Sequence, residues 1–246
     1  IEVVKGAGSC ILSTPRNPSY TLKNNNSPVT QADKASNDYL LEHLPKIFPR
    51  PVLSEENIID CNNRLSWEDY WLVDPLDGTK EFISGQDDYC INVCLMRKNK
   101  PTLGIIYAPA KQELYYAESS QGFVYEGPPL IFPVDKIVGV KSRFHHSEVT
   151  ELFFRQNKIE YIETIGSALK FGRLAIGQID IYPRFQGSME WDIAAGHLIL
   201  TESNCKIVDL VTDQEPTYNK ENLTNNFFVA FSNKVKLETL QFPQIP

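Results

Sequence analysis

Apolar and polar residues alternate in short runs through the first half of the chain, whereas a helical spacing is more frequent in the second half. Runs rich in β-branched and aromatic residues and bounded by Gly, Pro or Asn are typical of strands. Four such runs follow one another and predict an antiparallel meander, at residues 90–96, 102–107, 113–117 and 122–125. Further short strands are predicted at 51–53, 70–73 and 227–231, and near Tyr161, Ile179 and Lys206.

Helical spacing predicts the remaining elements. The clearest helix begins at Thr30, a capping residue, and ends before Pro45, which places Asp33 in its first turn. The stretch at 15–27 is rich in Asn, Pro and Ser and is predicted to be a loop. Other helices are expected at 1–12, 147–156, 167–176, 192–202 and 234–240.

Together these elements predict one α+β domain over residues 1–246, with a lobe at about 1–133 and a second lobe at about 134–246. A chain of 246 residues with 42% hydrophobic residues can bury a core of that size. Asp and Glu number 31 against 24 Lys and Arg, so the formal net charge is −7. That balance argues against a surface built for polyanions, and nucleic acid is not an expected partner.

The five cysteines form no Cys-x-x-Cys pair and no zinc-ligand spacing, and their number is odd. No apolar run approaches the ~20 residues that span a bilayer, and no charged-then-apolar leader opens the chain. These features predict a reduced, cytoplasmic compartment. Cys90 and Cys94 would face the same side of one strand, where free thiols behave as small buried apolar groups.

A predicted buried strand is followed directly by two carboxylates in the segment 74–79, Asp-Pro-Leu-Asp-Gly-Thr. The proline fixes one backbone angle and the glycine permits close approach, so Asp74 and Asp77 can face one cation. The carbonyl of Leu76 can join them, since magnesium takes oxygen ligands of both kinds. A helix starting at Thr79 would also point free amides at an anion. Each acid alone could instead be an ordinary turn or cap residue.

Two further acidic sites fit the same chemistry. Asp192 stands at the start of an apolar helix, and Glu55 and Glu56 follow a predicted strand. Taken singly, the first could be a helix cap and the second a solvated loop. Adjacent like charges raise each other's pKa unless cations or solvent compensate them. Three carboxylate sites at strand ends and helix starts therefore favour a shared metal centre.

Segment 74–79, taken with Trp191-Asp192-x-Ala194-Ala195-Gly196, resembles the inositol monophosphatase superfamily. Four segments more closely resemble one branch of it, the bacterial 3'(2'),5'-bisphosphate nucleotidases of the CysQ type, at 27–33, 52–56, 70–82 and 166–171. The resemblance covers nearly the whole chain. It implies a layered αβαβα sandwich and a magnesium-dependent phosphatase.

The run Leu76-Asp77-Gly78-Thr79 also resembles the Asp-x-Asp-Gly-Thr signature of haloacid-dehalogenase-like phosphatases, which form a phospho-aspartate. The nucleophilic Asp of that signature falls on Pro75 here, and proline cannot attack a phosphate. Attack by metal-activated water is therefore expected rather than a covalent intermediate.

The superfamily resemblance implies two or three Mg²⁺ ions. Glu55, Asp74 and the Leu76 carbonyl would hold one ion, and a second would be held by Asp74, Asp77 and Asp192. Asp74 would thus bridge two ions. Two cations on one phosphate activate the attacking water and stabilise the leaving oxygen.

Roles in catalysis and substrate binding are implied as well. Thr79 and Asp33 would form a hydrogen-bonded pair that orients the attacking water. Glu55 would also lie near that water, whereas Glu56 would support the site without binding an ion directly. Substrate contacts are implied for Gly78, Thr79, His145, Ser167, Lys170, Arg184 and Asp192.

Two of these substrate contacts, Lys170 and Arg184, suit an additional phosphate group. Lys170 could instead be a solvated helix residue. The neighbouring His146 is as available as His145.

The nucleotide branch implies hydrolysis of adenosine 3',5'-bisphosphate to AMP and phosphate, inhibited by lithium and supporting sulfur assimilation. Inositol monophosphate, fructose 1,6-bisphosphate and NADP phosphate are alternative substrates within the superfamily. A non-catalytic metal-dependent binder of phosphorylated nucleotides is an alternative of another class, and so is an extracellular calcium-stabilised module, which the unpaired cysteines disfavour. Peripheral association with the cytoplasmic face of the inner membrane stays open, as does the oligomeric state.

Overall fold

The computed structural model of this chain describes residues 1–15, 18–23, 27–129, 136–144 and 147–244. Within these ranges the elements are, in chain order, α1 (Glu2–Leu12), β1 (Tyr20–Leu22), β2 (Pro28–Thr30), α2 (Gln31–Ile47), β3 (Val52–Ser54), α3 (Cys61–Arg64), β4 (Asp69–Asp77), α4 (Thr79–Ile83), β5 (Cys90–Arg97), β6 (Lys100–Ala108), β7 (Glu113–Glu118), β8 (Gly122–Glu126), β9 (Val138–Ser142), α5 (Glu148–Gln156), β10 (Tyr161–Ile165), α6 (Leu169–Ala175), β11 (Ile181–Arg184), α7 (Glu190–Glu202), β12 (Lys206–Asp209), β13 (Phe228–Phe231) and a 3-10 turn at Leu237–Thr239. No helix in the described ranges is both long enough and apolar enough to cross a membrane.

The fold is built on two large sheets, of six and five strands. The first has the order β3-β4-β5-β6-β7-β8, in which β3 runs parallel to β4 and every other neighbouring pair is antiparallel. This sheet contains the predicted meander. The second has the order β10-β9-β11-β13-β12, and β9, β10 and β11 run parallel. Parallel strands end at the same edge of a sheet, so the segments after β9, β10 and β11 lie together there.

Helices fill three layers around these sheets. On the outer face of the first sheet, Ile11 of α1 and Leu40 of α2 join the cluster that contains Val73. Helices α6 and α7 lie between the two sheets, and their apolar residues share one core with both. On the outer face of the second sheet, Phe153 of α5 packs with Val229. The predicted layered αβαβα sandwich is therefore confirmed.

Cys90 and Cys94 are buried on the same side of one strand, as predicted. Cys90 and Cys94 are both free thiols, and both are buried in the core that the first sheet shares with α6 and α7. They lie two pleats apart on β5 and so face the same layer. Burial raises the pKa of the Cys94 thiol above its ordinary value, as expected for a group that acts as a small apolar residue.

Several elements differ from prediction, and no strand was predicted at the positions of β2 and β9. Helix α2 does not end before Pro45 but continues to Ile47. Pro45 removes one backbone hydrogen bond and crowds the preceding turn, but packing of the buried residues Leu40 and Leu44 outweighs that cost. The predicted closing helix at 234–240 is reduced to the 3-10 turn, because its residues are mostly exposed and bury too little apolar surface. The predicted loop at 15–27 contains β1, which pairs with β2.

Smaller differences follow the same logic. All three residues of β1 are exposed, so no burial pattern marked it in the sequence. The strand expected near Ile179 begins two residues later, as β11, and the polar stretch after β3 contains the short α3. The predicted boundary between the lobes, near residue 133, lies outside the described residues.

Candidate metal centre and active site

The irregular end of β4 positions the first two candidate metal ligands. β4 pairs regularly with β5 as far as Asp74, and the register then shifts before Asp77. Pro75 falls in this shift because it has no N–H to give to the ladder. The Leu76 amide donates to Asp74 Oδ1 at 3.1 Å, and the Ser36 hydroxyl donates to the Pro75 carbonyl at 2.7 Å. These bonds hold the turn in one conformation.

Carboxylates from three separate elements meet at this turn. Glu55 follows β3, and Asp192 lies in the first turn of α7, where its Oδ2 accepts a hydrogen bond from the Met189 amide at 2.8 Å. Ligand oxygens of Glu55, Asp74 and Asp192 all lie within 4.8 Å of one another. Carboxylate oxygens this close together suit a hard divalent cation.

Asp77 stands beside this cluster and has additional partners. Its Oδ2 accepts hydrogen bonds from the Ala168 amide at 2.6 Å and from the Asn92 side-chain amide at 3.3 Å. Burial raises the pKa of Asp192, and the charge of Asp77 raises it further, so the two carboxylates interact. Sequence analysis did not identify Asn92; the available signal was a polar residue within an apolar strand.

The acidic cluster is electrostatically unfavourable without a counter-charge. Burial raises the pKa of Asp74 well above its ordinary value, and the neighbouring charges of Glu55, Asp77 and Asp192 add to the rise. A bound divalent ion would instead lower the pKa of each acid, because it stabilises the charged form of every carboxylate ligand. The buried, oxygen-only donor set therefore fits a hard divalent cation.

Lys23 brings a positive charge of the protein itself to this cluster. Its ammonium lies 2.8 Å from Glu55 Oε1 and 2.5 Å from Glu56 Oε1. Burial alone would lower the pKa of Lys23, but the two carboxylates outweigh burial and raise it. Sequence analysis did not identify Lys23, since it lies in a polar stretch without a motif.

Replacement of Lys23 by glutamine is expected to lower the Mg²⁺ concentration that half-saturates the protein by about three- to ten-fold. The reason is competition, because the ammonium occupies a Glu55 oxygen that a cation would use. Isothermal titration with Mg²⁺ measures the change. Lys46→Gln is the matched control, since that exposed lysine pairs with Glu42 on α2. A weaker affinity for Mg²⁺ in Lys23→Gln would contradict the competition.

Asp33 and Thr79 form a hydrogen-bonded pair. The Thr79 hydroxyl donates to Asp33 Oδ1 at 2.8 Å, while Asp33 Oδ2 accepts from the amide and hydroxyl of Thr30 at 2.7 and 2.6 Å. Burial raises the pKa of Asp33, although the bonds from Thr30 and Thr79 oppose the rise. Because the Thr79 hydroxyl donates its hydrogen bond to Asp33, its oxygen can accept a hydrogen bond from a water or a substrate.

The backbone of the motif also lies close to this pair. The Thr79 hydroxyl is 3.3 Å from the Leu76 carbonyl, the predicted backbone ligand. Gly78 has φ of +96°, a conformation that other residues rarely adopt. A Cβ at this position would lie 3.1 Å from the carbonyl oxygen of Asp88. The tight turn therefore requires glycine.

A cavity of about 370 Å³ opens beside the acidic cluster, a size that suits a small ligand. Its lining includes the four acids and residues from both halves of the chain, namely Glu55, Asp74, Asp77, Asp192, Gly78, Thr79, Ser167, Lys170 and Arg184. His145, predicted to contact substrate, and its neighbour His146 lie outside the described residues.

Lys170 is a buried cation of this cavity and not a solvated helix residue. Its side chain is almost wholly enclosed, and its ammonium donates to the carbonyls of Ile165 and Ser167 at 3.2 and 2.5 Å. The ammonium also lies 5.2 Å from the centre of the Tyr182 ring, within range of a cation–π contact. These contacts fix the charge at the wall of the cavity.

Arg184 places a second cation at the end of β11. It donates to the Ser142 hydroxyl at 2.9 Å and to the carbonyls of Gln186 and Gly187 at 3.3 and 3.1 Å. Burial raises the pKa of Asp77, and the charges of Lys170 and Arg184 both oppose that rise. The positive charges of Lys170 and Arg184 therefore interact with Asp77 across the cavity.

Known proteins are similar to this chain over most of its length. The model of the inositol monophosphatase family matches residues 1–226. The 3'(2'),5'-bisphosphate nucleotidase CysQ of Salmonella typhimurium is 36% identical over 224 residues, which cover 85% of this chain and 88% of that protein. The same enzyme of Haemophilus influenzae is 36% identical over 226 residues, 87% of this chain and 83% of that protein.

Solved structures give the same result. The crystal structure of CysQ from Bacteroides thetaiotaomicron, a bacterial member of the inositol monophosphatase family, superimposes with a TM-score of 0.82. The two chains are 32% identical, and the match covers 94% of each.

Proposed function

The chain belongs to the inositol monophosphatase family, and on that premise we propose that it is a Mg²⁺-dependent 3'(2'),5'-bisphosphate nucleotidase. The proposed reaction is hydrolysis of adenosine 3',5'-bisphosphate to AMP and phosphate. Relatives that carry this enzyme name match most of the chain. The observation that carries the proposal is an acidic cluster that shares one cavity with Thr79 and two buried cations.

Five groups would hold the cations, two or three in number, in the proposed enzyme: Glu55, Asp74, the Leu76 carbonyl, Asp77 and Asp192. Bound cations would supply Lewis-acid activation of water and neutralise charge on the phosphate. Asp74, which is buried and interacts with Glu55, Asp77 and Asp192, would be the ligand that two of the ions share.

The Asp33–Thr79 pair would orient the attacking water. Asp33 accepts a hydrogen bond from the Thr79 hydroxyl. The Thr79 oxygen therefore has a lone pair available on the side of the cavity, which Thr79 lines. A water that donates to this lone pair keeps its own lone pair for attack on phosphorus. Glu55, which lines the same cavity, is the proposed second partner of that water.

The opposite charges in the cavity support a substrate with two phosphates. The acidic cluster would receive, through its cations, the phosphate that is cleaved. Lys170 and Arg184 would favour the second phosphate, because both are held as buried cations in the cavity wall. Gly78, Ser167 and Asp192 complete the proposed substrate contacts within the described residues.

Phosphate release from four substrates tests the proposal. Adenosine 3',5'-bisphosphate, inositol 1-phosphate, fructose 1,6-bisphosphate and NADP would each be assayed with Mg²⁺, with EDTA and with added lithium. We expect the adenosine bisphosphate to be turned over with the highest kcat/KM. We also expect turnover to be lost in EDTA and reduced by lithium.

Other outcomes would revise defined parts of the proposal. Preference for another of the four substrates would keep the metal centre and reject the nucleotide assignment of Lys170 and Arg184. Turnover that persists in EDTA would reject the metal mechanism. Saturable binding of the bisphosphate without release of phosphate would indicate a binding module instead of an enzyme.

A further inference from the structure

Asp88 joins the two sheets at the side of the cavity that the substrate motifs occupy. It lies between α4 and β5, in the first half of the chain. Its Oδ2 accepts hydrogen bonds from the Arg143 guanidinium at 2.6 Å and from the Gly166 amide at 3.4 Å. Its Oδ1 lies 3.1 Å from the Lys111 ammonium. One carboxylate therefore holds groups from three other segments.

Two of these partners follow parallel strands of the second sheet. Arg143 comes directly after β9, and Gly166 comes directly after β10. Their neighbours Ser142 and Ser167 line the cavity. Open sheets with parallel strands bind ligands at this edge, beyond the carboxyl ends of the strands. Asp88 thus contacts the segments whose positions determine the shape of the proposed nucleotide end of the cavity.

The other end of this link is the metal-ligand turn. Asp88 lies two residues before Cys90, and Cys90 pairs with Asp77 in the first sheet. A shift of Asp88 would therefore move the strand ends of the second sheet relative to the acidic cluster. The relative position of the two ends matters because one substrate must reach both of them at once, and a preorganised cavity binds it more tightly.

Close packing and charge both indicate a rigid link. A Cβ on Gly166 would lie 2.6 Å from the Asp88 carbonyl oxygen and 2.6 Å from Glu81 Oε1, so no larger residue fits between the two segments. Burial would raise the pKa of Asp88, but the bonds from Arg143 and Lys111 outweigh burial and lower it. The Asp88 carboxylate is thus held in its charged form, which strengthens both contacts.

We infer that Asp88 is a positioning residue that sets the nucleotide end of the cavity in register with the metal centre, through Arg143 and the Gly166 amide. This inference rests on the proposed function. It assigns Asp88 no contact with the reacting atoms. Its loss would therefore weaken productive binding of the nucleotide more than it slows the chemical step or weakens Mg²⁺ binding.

Steady-state kinetics with adenosine 3',5'-bisphosphate test the inference. Asp88→Asn and Arg143→Gln are each expected to raise KM about ten-fold, with kcat within about two-fold of wild type. The half-saturating Mg²⁺ concentration should not change. Asp88→Glu keeps the charge and should recover most of the wild-type KM. The double variant should be close to the worse single variant, because both substitutions break the same Asp88–Arg143 pair.

The matched control is Glu151→Gln. It removes a carboxylate that pairs with Lys141 of β9 at 2.5 Å, on the same strand that Arg143 follows. Lys141 and Arg143 are similarly exposed, at 29% and 33%, whereas Glu151 is more exposed than Asp88, at 30% against 12%. That ion pair joins β9 to α5 and lies within the second half of the chain. Its loss should leave KM unchanged, which separates the link through Asp88 from a general effect of lost ion pairs.

Each remaining outcome decides between the two proposals. An unchanged KM in folded Asp88→Asn would overturn the inference, and so would an equal loss of kcat and Mg²⁺ affinity. If Asp88→Asn melts below the assay temperature, Arg143→Gln decides by the same criteria. Absence of wild-type turnover of the bisphosphate would reject the proposed function and this inference with it, whereas normal wild-type turnover with unchanged variants would reject the inference alone.

Discussion

Replacement of Asp74 by asparagine is expected to reduce phosphate release by about a thousand-fold and to leave the protein folded. Asp74 is the buried member of the acidic cluster that it forms with Glu55 and Asp192. An amide has the same shape as the carboxylate but offers a neutral oxygen, so the variant would lose the charge that holds a shared cation. The loss should appear in kcat/KM for every substrate that the wild type turns over.

The folded state should survive because the carboxylate is unfavourable there without metal. Burial and three neighbouring acids raise the pKa of Asp74, so removing its charge relieves repulsion. The asparagine oxygen can still accept the bond from the Leu76 amide. We expect the melting temperature in EDTA to equal or exceed that of the wild type.

Asp69→Asn is the control for this variant, since Asp69 begins the same strand and pairs at the surface with Arg50. It should retain wild-type activity. Asp74→Asn that keeps more than a tenth of wild-type kcat/KM would remove Asp74 from the metal centre.

Mg²⁺ is expected to raise the melting temperature, and by more at pH 8 than at pH 5.5. At a concentration of about 100 times the dissociation constant, a ligand of the folded state adds about 2.7 kcal/mol. For a chain of this size that corresponds to about 5–10 °C. Differential scanning calorimetry with Mg²⁺ or EDTA at both pH values measures the increments.

The direction with pH follows from the raised pKa values of Asp74 and Asp192. Without a cation, the folded protein binds protons more tightly at these groups than the unfolded chain does. Their contribution to stability is fully present below the ordinary carboxyl value of 3.8 and is lost as pH rises through the raised folded pKa. Mg²⁺ must displace those protons, so it binds more weakly at low pH.

The same measurement on Asp74→Asn provides the comparison. That variant should show a smaller increment with Mg²⁺ at pH 8 and a weaker dependence on pH. An increment in the wild type that is the same at both pH values would show that the cluster does not exchange protons for the cation.

Much of the acidic cluster could be predicted because local chemistry determines it. Thr30 caps α2 and so fixes Asp33 in the first turn, and the Pro and Gly of segment 74–79 dictate a tight turn after a strand. The position of Asp192 in the first turn of α7 follows from similar rules. Such features depend on residues that are neighbours in sequence.

Features that depend on long-range partners could not be predicted. Lys23 directly follows β1, whose position is set by its pairing with β2, and the exposed residues of β1 leave no periodic signal. Asp88 and Arg143 are likewise ordinary surface-type residues until the two sheets are packed together. The burial of Lys170 has the same origin, because a helical lysine is solvated by default.

The two sheets obtain their shared acidic cluster from elements far apart in sequence, and this affects the order of folding. Glu55 directly follows β3 and Asp74 belongs to the adjacent strand β4 of the first sheet, whereas Asp192 lies on α7, in the layer between the sheets. Local strand pairing precedes such long-range docking when contacts form by loop closure. The repulsion that Asp192 adds to the cluster therefore arises late, as α7 docks, and a divalent cation present at that step would favour completion of the fold.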